Sequence, residues 1–86
     1  MKFRAEIDVM PLKVLLDPQG KAVGASMKNI GLPQINEVRI GKHISLHVEA
    51  GGHEDARNKV DEACKKLLAN EIMESYEFEV TQYPQA

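Results

Sequence analysis

The side chains able to do chemistry here are three histidines, one cysteine, three serines and thirteen acids. Nucleophilic catalysis asks for a serine or cysteine beside a base that a third group orients. Ser26 falls inside a helical stretch, and Ser45 and Ser75 have no attendant His-Asp set at a recognised spacing. His43 and His47 sit four apart without the third and fourth ligands a zinc site needs, and are expected on a solvated strand face. Gly20-Lys21 lacks both the preceding glycine and the following hydroxyl of a phosphate loop. Pro11-Leu12-Lys13 stands where a glycine-rich, arginine-bearing anion loop would follow the first strand. No catalytic residue and no metal ligand is therefore expected, and the isolated chain is read as having no enzymatic activity.

One stretch still asks for an explanation. In Leu16-Asp17-Pro18-Gln19-Gly20-Lys21 the carboxylate of Asp17 can cap a helix, and Pro18 suits the first helical position because its φ is preset and its missing N–H is not needed there. Gly20, in the first turn, costs about 1 kcal/mol of helix propensity relative to alanine. Either it is a tolerated glycine or something approaches it closely.

Composition narrows the class. With 86 residues the chain is expected to be one domain, residues 1–86, with a core small enough that burial against a partner matters. Eleven Lys+Arg against thirteen Asp+Glu leave a net charge of −2, which offers no basic field for nucleic acid or an anionic membrane. Two Phe, two Tyr and no Trp leave few platforms for stacking bases. No apolar run is long enough to cross a bilayer and no signal-peptide core is seen, so a cytoplasmic location is expected. The lone Cys64 is expected to be a small buried side chain.

The elements that would position these residues follow from periodicity. Phe3, Ala5, Ile7 and Val9 alternate with Lys2, Arg4, Glu6 and Asp8, a half-buried strand ended by Pro11. Leu12, Val14, Leu15 and Leu16 form an apolar connector that must fold under a helix or meet another subunit. A helix is expected from Pro18 to about Ile30, burying Val23, Met27 and Ile30, with Gly31 stopping it. Strands at 37–40 and 44–49 are expected to form a hairpin through Gly41-Lys42-His43, pairing Ile40 with Ile44. A second helix, about His53 to Ala69, carries Ala56, Val60, Ala63, Cys64, Leu67 and Leu68 on its apolar stripe, and Asn70 is its expected left-handed cap. Tyr76 to Thr81 alternates as a last strand, and Pro84 ends the order. The order β-α-β-β-α-β predicts an α+β, ferredoxin-like two-layer sandwich, a four-stranded antiparallel sheet with two helices on one face.

Leu16-Asp17-Pro18-Gln19-Gly20-Lys21-Ala22-Val23, together with Glu37-Val38-Arg39-Ile40-Gly41-Lys42 and Cys64-Lys65-Lys66-Leu67-Leu68-Ala69-Asn70 before an acid-aromatic strand, resembles the PurS family. These are the small subunits of phosphoribosylformylglycinamidine (FGAM) synthase in purine biosynthesis. Val14 and Gly51-Gly52-His53 depart from the family pattern and bear on loop shape only. The resemblance implies a non-catalytic homodimeric subunit, with a tetramer as a higher form. It would join a PurL-type synthetase subunit to a PurQ-type glutaminase subunit so that ammonia passes between them. It implies no cofactor on this chain, whereas the complex uses ATP, Mg²⁺ and glutamine. Asp17, Pro18, Gln19, Gly20, Lys21, Arg39, Gly41 and Lys42 are the expected contacts to the larger subunits, and Leu12, Val14, Leu15 and Leu16 those between copies; the resemblance makes a close approach by another subunit the expected reason for Gln19 and Gly20. The alternative from another class is a ferredoxin-like regulatory module that binds a small ligand.

Overall fold

The structure, a computed structural model, describes residues 1–83. Strict alternation makes Lys2–Pro11 a strand, β1, that buries Phe3, Ala5, Ile7 and Val9 to 2 % exposure or less. It is the middle of a three-stranded antiparallel sheet, flanked by β2 (Lys42–Glu49) and β3 (Glu74–Gln82) in the order β2-β1-β3. Register follows the apolar pattern: Ile7 lies opposite Ile44 and Phe78, and Ala5 opposite Leu46 and Val80. Between β1 and β2 lies α1 (Pro18–Met27), and between β2 and β3 lies α2 (His53–Ala63).

Helix α2 covers the inner face of the sheet with Ala56, Val60 and the following Cys64, all buried. Its solvent side carries three acid-to-base pairs at i, i+4 spacing, Asp55–Lys59 at 3.3 Å, Asp61–Lys65 at 3.1 Å and Glu62–Lys66 at 2.6 Å. No side chain caps the helix from Gly52; instead Asp55 reaches back to accept from the Gly51 N–H at 3.0 Å. The His53 Nε2–H donates to the Val80 carbonyl at 2.8 Å, which ties the start of α2 to β3.

Four expectations are corrected. The helix does not run unbroken to Ala69: after Ala63 it widens into a π-turn, Cys64–Leu68, closed by the Ala69 N–H on the Cys64 carbonyl at 2.9 Å. The extra residue in that turn rotates Leu67 off the stripe and leaves it 82 % exposed. Asn70 does not adopt a left-handed cap; Ala69 is already extended (φ −130°), and the Asn70 side chain accepts from the Ile72 N–H. Residues 37–40 do not form a strand, so the sheet has three strands and the 41–43 hairpin does not exist. Glu37 has φ +53°, which breaks an extended run, and the Ile40 N–H that a ladder would use donates to the Asp17 carboxylate at 2.9 Å. Finally, α1 does not lie on the sheet beside α2. Its expected core residues Val23 and Ile30 are 36 % and 67 % exposed, and Gly20 is its one buried residue. Gly31, at φ +83°, ends the following turn as expected of a glycine. Pro84 lies outside the described residues.

Candidate partner-binding surfaces

The root of the α1 arm is built by Asp17. Its Oδ1 accepts from the Gly20 N–H at 3.0 Å, the cap read from the sequence, and its Oδ2 accepts from the Ile40 N–H at 2.9 Å. The Gly20 bond first, and the Ile40 bond after it, hold this carboxyl below the usual aspartate range. The Arg39 guanidinium donates to the Pro11 carbonyl at the end of β1. Thus Asp17–Lys21 and Arg39–Lys42, which belong to two of the three stretches that carry the resemblance and stand some twenty residues apart, meet in one place. Sequence alone does not show this convergence, because it depends on a side chain reaching across a loop.

Gly20 receives its close neighbour from within the chain. A Cβ there would collide with the Val38 carbonyl oxygen, and one at Gly41 would meet Met10 and the Val9 carbonyl. The expectation that another subunit explains Gly20 is therefore corrected. Pro18, Gln19, Lys21, Arg39 and Lys42 are exposed around this root, while Asp17 is half-buried. Of the apolar connector, Leu12 is half-buried, but Val14, Leu15 and Leu16 are 89 %, 39 % and 68 % exposed. A groove of about 360 Å³ opens between connector and body, with Leu15, Leu16, Pro18, Ile40 and Met73 on its walls. Ile72 and Met73, 84 % and 54 % exposed, extend the apolar surface on the body side and were missed by sequence reasoning. Their irregular loop carries no periodicity to flag them.

The outer sheet face is divided by charge. His43 lies between Asp8, with Nδ1 2.7 Å from Oδ1, and Glu6, with Nε2 2.6 Å from Oε2. Serving both carboxylates as a donor requires the imidazolium. Asp8 first, then Glu6, raise the His43 pKa, and the His43 bond is the main cause of a lowered Glu6. Glu79 and Glu77 stand directly across β1 from Glu6 and Asp8, which places like charges opposite each other. At the other end Tyr83 stacks on His47 at 4.7 Å with the Arg4 guanidinium 5.9 Å from its ring centroid. Both histidines are on the outer face as expected, and no group of three or more metal-binding side chains occurs among the described residues.

A pH dependence follows. A raised histidine pKa stabilises the fold below the ordinary value of 6.5 and the effect is lost as pH rises through the folded-state value. The lowered Glu6 contributes above 4.5 and its effect is lost as pH falls through its folded-state value. The thermal midpoint is expected to decline on the alkaline side of 6.5, and His43→Gln is expected to flatten that limb. A limb of undiminished slope in the variant, followed by thermal melts across pH, contradicts the role given to His43.

Inside the body, the Tyr76 hydroxyl donates to Asp61 at 2.6 Å, which pushes the tyrosine up to about 12 and holds Asp61 low. Cys64 is fully buried, the small core side chain expected, and that burial pushes its thiol up. No helix among the described residues is long and apolar enough to cross a membrane.

These features define a small α+β protein with a three-stranded antiparallel sheet, one covering helix and a second helix that stands off the sheet on a loop rooted at Asp17. The chain belongs to the PurS family, "Phosphoribosylformylglycinamidine (FGAM) synthase", whose profile matches residues 4–82. It is 36 % identical over 78 residues to the PurS subunit of Bacillus subtilis, covering 91 % of this chain and 92 % of that one. It is 42 % identical over 67 residues to the PurS subunit of Synechocystis sp., covering 78 % and 67 %. Its fold superimposes with a TM-score of 0.86 on a chain of the solved PurLQS structure from Thermotoga maritima, at 35 % identity and covering 94 % of this chain and 99 % of that one. The match to PurS subunits across the chain leaves the regulatory-module alternative without support.

Proposed function

We propose that this chain, a single domain, is the small non-catalytic subunit of FGAM synthase in purine biosynthesis. It joins the glutaminase and the ATP-dependent synthetase so that ammonia released from glutamine reaches the synthetase without loss to water. The family match over residues 4–82 carries this reading, and the likeness to a chain of PurLQS from Thermotoga maritima supports the three-part assembly. ATP, Mg²⁺ and glutamine belong to the larger subunits in this reading. The chain acts as a homodimer, the tetramer being its higher form, and works in the cytoplasm. Pro18, Gln19, Lys21, Arg39 and Lys42 offer polar, exposed contacts to the larger subunits, while Asp17, Gly20 and Gly41 shape the surface that presents them. Leu12, Val14, Leu15 and Leu16 supply apolar contact between copies, because exposed aliphatic side chains on so short a segment, Val14, Leu15 and Leu16 here, favour association.

Reconstitution tests this. Omitting the chain from a mixture with the two larger subunits is expected to abolish glutamine-dependent synthesis while leaving ammonia-dependent synthesis in place. Undiminished glutamine-dependent synthesis without the chain would refute the reading.

A further inference from the structure

In the order β2-β1-β3 the outer edge of β3 pairs with no strand among the described residues. Which backbone groups point to that edge follows from the two ends of the ladder with β1. The Tyr83 N–H donates to the Lys2 carbonyl at 2.8 Å, and the Leu12 N–H donates to the Met73 carbonyl at 2.9 Å. Antiparallel pairing alternates, so odd-numbered residues of β3 turn their N–H and C=O groups to β1, and even-numbered residues turn theirs outward.

Both ends of the outer edge are closed by the chain itself. At one end the Glu74 N–H donates to the Asn70 carbonyl at 2.6 Å, and at the other the Val80 carbonyl accepts from His53 Nε2 at 2.8 Å. Between them the N–H and C=O groups of Tyr76 and Phe78, and the N–H of Val80, have no partner among the described residues. This window spans about 17 Å, the length of an ordinary short strand.

Its two faces differ in chemistry. On the inner side Tyr76 and Phe78 are half-buried, with ring centroids 6.3 Å apart. Helix α2 holds them there, Tyr76 through Asp61 and Phe78 under the Arg57 guanidinium 5.3 Å from its ring centroid. On the outer side Glu77 and Glu79 are exposed, and neither is in an ion pair among the described residues. Each already faces an acid of β1, Asp8 or Glu6. A strand added at this edge gains main-chain hydrogen bonds and covers the aromatic pair with its inward side chains. With Lys or Arg outward, it also neutralises the two acids. A second copy of β3 does the reverse: antiparallel pairing centred on Phe78 sets Glu77 against Glu79, like charge against like.

We propose that Tyr76–Val80 is a strand-addition site for an extended segment of a larger subunit, in which apolar side chains alternate with Lys or Arg. The site rests on the assembly role given above and locates one contact of it.

Amide hydrogen exchange resolved to individual residues, on the full chain alone and in complex with the two larger subunits, tests the site. In the free chain the amides of Tyr76 and Phe78 are expected to exchange freely, while those of Glu77 and Glu79, bonded to β1, stay protected. In the complex the Tyr76 and Phe78 amides are expected to slow by about tenfold or more. Glu77→Lys combined with Glu79→Lys leaves the ladder to β1 in place and is expected to weaken binding to the larger subunits by about tenfold or more. Tyr76 and Phe78 amides that exchange equally fast free and in the complex overturn the proposal, and so does unchanged affinity of the charge-reversed variant. Protection that rises with the concentration of the chain alone marks a second copy at this edge and overturns it too. The two readings fail separately. Unprotected amides in a complex whose glutamine-dependent synthesis requires the chain sink the strand-addition site alone; protected amides with synthesis indifferent to the chain sink the assembly role alone.

Discussion

Ile7→Ala is expected to lower the unfolding free energy by about 2–5 kcal/mol, the range for truncating a buried aliphatic side chain and leaving a cavity. Ile7 is fully buried at the centre of the middle strand, with Ile44 and Phe78 opposite on its two sides. The layer it supports is thin, because one helix covers the sheet and four of the ten buried core residues are alanines. A domain of this length has about 4–13 kcal/mol of stability in total, so the substitution consumes a third or more of it at mid-range. Urea titration at fixed protein concentration, followed by far-ultraviolet circular dichroism, measures the loss. Leu67→Ala, at a site 82 % exposed, is the control and should stay within about 0.5 kcal/mol of the parent. An Ile7→Ala midpoint equal to the parent's would mean that the inner layer is not where the stability resides.

Gly20→Leu is expected to melt the arm while sparing the sheet. A side chain here meets the Val38 carbonyl and the Asp17 carboxylate, and neither is a flexible tip that can swing away. Overpacking of this kind costs about 1–3 kcal/mol, and dislodging Asp17 removes a helix cap worth about 1 kcal/mol more. A helix of ten residues is marginal in water without packing, so that sum exceeds what holds it. Hydrogen exchange should show protection lost across residues 17–40 and retained in β1. Full protection of the arm in this variant would show that α1 does not depend on residues 37–40.

The two expectations divide the molecule along the line where sequence reasoning divides as well. The body was readable because each of its elements repeats with its own period. The alternation of Phe3, Ala5, Ile7 and Val9 and the helical spacing of Ala56, Val60 and Cys64 are the burial patterns observed. The arm was misread for a specific reason. Val23, Met27 and Ile30 have the spacing of a buried stripe, and spacing reports that a face is apolar without saying that its own sheet covers it. Residues 37–40 likewise have the composition of a strand, but the donor of Ile40 went to Asp17 and Glu37 turned left-handed.

The sequence by itself determined the three strands that formed, the start of both helices, the cap at Asp17, the outward histidines and the family, because these depend on residue type and on neighbours a few positions away. Only the tertiary structure decided that Gly20 makes room for Val38, that the two motif stretches converge at one root, and that α1 stands clear of the sheet. Those outcomes turn on a competition between distant groups for the same hydrogen bonds and the same space, and no local pattern records which group wins.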